Sequence, residues 1–177
     1  MSEHASGIIT YCERWNDLLH APINIIGADE AKRRHEAGEL YSVVLGDLKV
    51  PDAFIEVNWT HNYLGVWFLD EKCRRVLKYG FRRVSETQLF MNDIVRWDYP
   101  PEARGRFNDA LLIESIHYEQ DGTVRQTTKD KTVREIVEKT IKDVPLDINW
   151  EKVPQFGQWD SVARYDREPP TEEPEKS

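Results

Sequence analysis

Between residues 40 and 128 the chain passes through seven short β-rich runs, LYSVVLG, AFIEVNW, NYLGVWFL, RRVLKYGF, QLFMNDIVRWDY, ALLIESIHYE and TVRQTT, separated by turn residues. Nothing else in the sequence limits the fold as strongly. The connections are too short to hold crossover helices, so neighbouring strands must pair antiparallel. The clearest turn is QDGT, where Asp121-Gly122 suits a two-residue hairpin loop. VWFLDEKCRRVLKY and SIHYEQDGTVRQT share one layout, an aromatic strand, an acidic turn and a Val-bearing return, as expected of a meander built from one recurring unit.

Helical spacing flanks this β region. In IITYCERWNDLLH, residues Ile8, Tyr11, Cys12, Trp15, Leu18 and Leu19 form a stripe that predicts a helix. ADEAKRRHEAG predicts a second, polar helix with Gly38 at its C-terminal cap. TVREIVEKTIKDVP predicts a late helix, with Thr132 and Glu135 as a capping box and Pro145 as its stop. QWDSVARYD reads as a last strand. The expected class is α+β: N-terminal helices, a mainly antiparallel meander sheet of about seven or eight strands, and one late helix. A sheet of this size tends to curl and can close into a small barrel.

Six Trp, seven Tyr and six Phe in 177 residues supply enough apolar surface for one core. A single domain is expected over residues 1–166. The segment REPPTEEPEKS, residues 167–177, is too rich in Pro and Glu to order and reads as a disordered acidic tail. The formal charge of -8 disfavours nucleic acid and anionic membrane as partners. No run approaches the roughly 18 apolar residues of a membrane span, and the first residues lack a basic, then apolar, leader pattern, so a cytoplasmic protein is expected. Cys12 and Cys73 form neither a CxxC pair nor a ligand cluster with His, and no metal site is expected. GxGxxG, GxxxxGK[ST], GxSxG and HExxH are all missing, so no cofactor is expected either.

The candidate site begins at Asp93. Strict alternation would put Leu89, Met91, Asp93, Val95, Trp97 and Tyr99 on one side of a strand, and a carboxylate among such neighbours is costly unless it is paired or protonated. Glu114 lies on the more apolar side of ALLIESIHY. If the two strands are neighbours, Asp93 and Glu114 could share one interior as a general acid or base. The competing reading pairs one of them with Arg82, Arg96 or Arg125, or turns Asp93 out of the core at a bulge. His61, in the turn WTHNY, suits the rim of a binding site. Trp67, Tyr79, Trp97, Tyr99 and Tyr118, concentrated in the strands, are the candidate aromatic lining.

The layout over residues 40–165 resembles small calycin-like barrels in its architecture, a group that includes ligand carriers and cofactor-independent cyclases. That resemblance implies a small-molecule-binding domain with an aromatic-lined cavity for an apolar or amphipathic ligand, either a carrier or a cofactor-independent cyclase or isomerase. The alternative from another class is an acidic immunity or inhibitor protein that neutralises a basic partner protein, argued from the negative charge.

Overall fold

A computed structural model describes residues 7–104 and 109–167. Among these residues there are eleven strands and one α-helix: β1 (Ile9–Asn16), β2 (Ala21–Ile26), α1 (Ala28–Ala37), β3 (Tyr41–Asp47), β4 (Val50–Asn58), β5 (Tyr63–Leu69), β6 (Arg75–Arg83), β7 (Gln88–Asp98), β8 (Leu112–Tyr118), β9 (Val124–Asp130), β10 (Glu135–Ile141) and β11 (Trp150–Lys152). They form one antiparallel sheet in the order β10-β9-β8-β7-β6-β5-β4-β3-β1-β2, with β11 paired to the start of β7. The seven β-rich runs are β3 to β9. Gly122, at φ 84, turns β8 into β9 while the Thr123 amide donates to Asp121 Oδ1 at 2.8 Å.

Two expected helices are strands. Residues 9–16 pair with β3 on one edge and β2 on the other. Cys12 and Trp15 are buried there, while Leu18 and Leu19, which a helix stripe would have hidden, stand exposed in the turn. Residues 135–141 pair with β9 along their whole length. Thr132 does not cap a helix: its amide and hydroxyl both donate to Asp130 Oδ1, at 2.8 and 2.6 Å, in the β9–β10 turn. The β-branched run of this segment favours a strand, and pairing with β9 satisfies its backbone where a helix would have needed a surface to dock on. The expected polar helix is α1, closed by Gly38 at φ 77. QWDSVARYD is not a strand: Trp159 and Val162 are buried side chains of a turn and coil segment.

The sheet is curled but open. Asp17, in the β1–β2 turn, receives two hydrogen bonds from Arg75 at the start of β6, at 2.7 and 2.6 Å. Three strands separate β6 from β1, so a flat sheet would hold these residues roughly 19 Å apart at the usual strand spacing. The bend therefore folds the sheet toward one face, yet β2 and β10 end it without pairing, and no barrel closes among the described residues.

The other face carries the main core. Tyr41, Val43, Ile55, Val57, Leu64, Val66, Tyr79, Phe81, Met91 and Ile94 pack there beneath Ala31 of α1 and beneath Trp159 and Val162 of the C-terminal segment. Arg167 belongs to this packing although the sequence assigns it to the tail. Its Nη2 reaches Glu151 Oε2 at 2.6 Å and its carbonyl accepts from the Tyr79 hydroxyl at 3.0 Å. The remainder of the expected tail lies outside the described residues. No helix is long and apolar enough to cross a membrane among the residues described.

Candidate functional site

The concave face is built around two glycines. Gly65 of β5 stands directly opposite Gly80 of β6, with Glu56 of β4 beyond the first and Asp93 of β7 beyond the second. His117 of β8 continues the same row. Glycine inside a strand marks a place where something must lie close to the backbone. A Cβ on Gly65 would collide with the Tyr63 hydroxyl and the Trp67 ring, so these two side chains cover it. A Cβ on Gly80 would fall 3.0 Å from the Asp93 Cβ and 3.6 Å from the Lys78 Cε, so the Lys78–Asp93 pair lies over that one.

Asp93 reaches this face through a bulge. Gly80 pairs with Asp93 but Phe81 pairs with Met91, which leaves Asn92 as the extra residue. One added residue reverses the alternation, so Leu89 and Met91 point into the main core while Asp93, Val95 and Trp97 point to the concave face. The expected single row of side chains from Leu89 to Tyr99 is thus split in two. Asp93 accepts from Lys78 Nζ at 2.6 Å rather than from any of the three arginines considered from sequence.

Glu114 lies opposite Arg96, on the core face. Asp93 and Glu114 therefore do not share an interior, and their expected proton-sharing arrangement has no geometric basis. Their opposite faces follow from the β7–β8 register, in which Asp93 pairs with His117 and Arg96 with Glu114.

A cleft of about 400 Å³ opens over the Gly80, Asp93 and His117 end of this row, lined by His61, Tyr63, Lys78 and Asn92 among others. A larger one of about 620 Å³ shares Asn62, Arg82, Asn92 and His117 and runs on past Tyr118 and Glu119. It lies where β7 changes neighbours, since β11 covers residues 88–90 and β8 begins its pairing at Asp93.

Aromatic groups back the cleft from one side. Trp15, Phe54 and Trp67 stack in series, at 5.6 and 5.0 Å between rings. Lys78 Nζ lies 5.7 Å above Trp67, and the Arg75 guanidinium lies 4.8 Å from Phe54 and 5.0 Å from Trp67. Burial pushes the Tyr63 phenol well up, and the nearby Glu56 and Asp93 add to the effect, so Tyr63 stays a hydrogen-bond donor at neutral pH. Burial also raises Glu56, opposed by Arg75. The row thus offers a protonated phenol, an ammonium, a carboxylate and two exposed imidazoles within one open cleft, the groups that hydrogen bonding or proton transfer to a small polar molecule requires.

The other expected lining residues are distributed differently. Trp67 is buried beneath Lys78 and is not among the residues lining either cleft, and Trp97 packs partly buried against the same aromatic stack. Tyr79 is in the main core, where its hydroxyl donates to the Tyr165 and Arg167 carbonyls and burial pushes its pKa up to about 12. Tyr99 is buried under the Arg74 guanidinium at 5.1 Å. Tyr118 is a core side chain that touches the larger cleft. Lys78 and Tyr63 were not singled out from sequence, although the interior glycines of NYLGVWFL and VLKYGF were the available signal. No group of three or more His, Cys, Asp or Glu side chains is placed to hold a metal among the described residues. No protein-family model, curated protein or solved structure matches the chain.

Proposed function

We propose that the concave face binds a small molecule in the cleft beside Gly80, with Tyr63 as its aromatic wall and Lys78, Asp93, His61 and His117 as its polar contacts. The observation that carries this reading is the cleft at Gly80, into which ionisable side chains from four strands, Tyr63, Lys78, Asp93 and His117, converge. The fitting ligand is a planar or amphipathic molecule with hydrogen-bonding groups, held as by a carrier or turned over by cofactor-independent acid–base chemistry such as isomerisation or cyclisation. The alternative, an acidic inhibitor of a basic protein, calls for unpaired carboxylates gathered on an exposed face. Glu13, Glu30 and Glu39 are instead engaged by Arg33 and Arg34, which favours the small-molecule reading.

Trp67 reports on the cleft from beneath Lys78. A fluorescence titration against a panel of small aromatic acids and enolisable ketones is expected to yield ligands whose signal disappears in Trp67→Phe and whose affinity falls at least about tenfold in Lys78→Met. No response from any member of the panel, or affinity retained in Lys78→Met, would overturn the assignment.

A further inference from the structure

We infer that β10 is a self-recognition edge through which two copies of this chain join their sheets. β10 ends the sheet, and six of its seven residues are exposed, Ile136 at 61% and Val137 at 39%. An exposed edge strand is a template for another strand, and Glu135, Glu138 and Lys139, charges of the kind that discourage indiscriminate pairing, restrict β10 to a partner of matching charge. The opposite edge differs: β2 carries Pro22, which cannot donate to a ladder, and Asn24 in the left-handed region at φ 48. β10 has neither device.

The occupant follows from the side-chain pattern of β10 itself. Two copies of an edge strand pair antiparallel about a two-fold axis perpendicular to the sheet, and each face stays continuous only when the axis passes through one residue and its symmetry mate. Centred on Val137, the pairing sets Val137 against the partner's Val137 and Glu135 against the partner's Lys139, twice by symmetry, all on one face. Centring on Glu138 or Lys139 opposes a like charge to itself, and centring on Ile136 or Thr140 engages only three strand residues. The Val137 register is therefore the complementary one.

Within a single chain, Glu135 has a poor neighbour. Its cross-strand partner on β9 is Asp130, another acid on the same face. Pairing with a second copy brings a lysine to that acidic pair. A seven-residue edge buries less than a standard stable interface, so the dimer is expected to form reversibly with a dissociation constant on the order of 100 µM.

The test is sedimentation equilibrium of the full chain from about 10 µM to about 1 mM. The wild-type weight-average mass is expected to rise from the chain's 20.8 kDa toward twice that value. Glu135→Lys and Lys139→Glu each set two like-charge pairs across the axis and are expected to weaken association at least about tenfold, while the double variant Glu135→Lys/Lys139→Glu restores it. Circular dichroism of each variant establishes that the sheet is retained. A wild type that stays at 20.8 kDa throughout, or single variants that associate like the wild type, would overturn the proposal; so would a double variant no better than the singles.

Discussion

Asp93 and Lys78 form a half-buried pair whose ammonium still reaches solvent along the cleft. Asp93→Asn is therefore expected to cost about 1 to 2 kcal/mol, between exposed and fully buried pairs, and a urea midpoint beside the wild type checks it. A loss of several kcal/mol would mean that Lys78 depends on Asp93 for burial. Arg167 behaves differently, because its guanidinium is almost fully covered and reaches both Glu151 Oε2 and the Ser161 carbonyl at 2.6 Å. Arg167→Ala leaves the Glu151 carboxylate largely buried, with only the more exposed Arg164 beside it, and is expected to cost roughly 3 to 5 kcal/mol in the same measurement. His35 carries a pH dependence. Its Nδ1 lies 2.8 Å from the Tyr41 hydroxyl and accepts from Trp59 Nε1 at 3.3 Å, so the ring is neutral with its proton on Nε2. Burial holds its pKa below the ordinary 6.5, with Arg83 adding to the effect and Glu36 opposing it. Below pH 6.5 the unfolded chain then binds a proton that the folded chain resists, so stability at this residue is present above that pH and declines as pH falls toward the depressed value. The melting temperature is expected to drop between about pH 7.5 and pH 5.5, and His35→Gln is expected to flatten that slope.

At the scale of the element, β3 to β9 and the polar helix followed from local signals, whereas β1 and β10 did not. β3 to β9 were legible because each combines β-branched and aromatic residues with turn chemistry at both ends. β1 and β10 carry apolar spacings compatible with a helix, and only the presence of an edge to pair with settles the choice. The bulge at Asn92 left no sequence signal, since no glycine or proline marks it. It nonetheless decides which face receives Asp93. The facing glycines make the matching prediction for the cleft. Gly65→Ala drives a methyl into the Tyr63 and Trp67 rings and is expected to cost about 1 to 3 kcal/mol with a changed Trp67 emission. An unperturbed spectrum and midpoint would show that the two rings do not lie over that glycine.

The whole molecule is shaped by a curl that brings the β1–β2 turn against β6. Asp17→Ala removes the carboxylate that Arg75 grips across the concave face and is expected to cost about 1.5 to 3 kcal/mol, with faster amide exchange in β1 and β2 than in β5 and β6. By itself the sequence determined the antiparallel meander, the polar helix with its glycine cap, the Asp121-Gly122 hairpin and the identity of Asp93 and His61 as residues to examine. Those features rest on contacts between residues close in the chain, where propensity and periodicity act directly. Tertiary structure alone decided that Asp93 and Glu114 lie on opposite faces, that Lys78 and Tyr63 complete the cleft, that Arg167 is buried and that the sheet stays open. Each of these depends on the register between strands or on the curvature of the whole sheet, and a one-residue shift in register reverses every side chain beyond it while leaving the local pattern of residues unchanged.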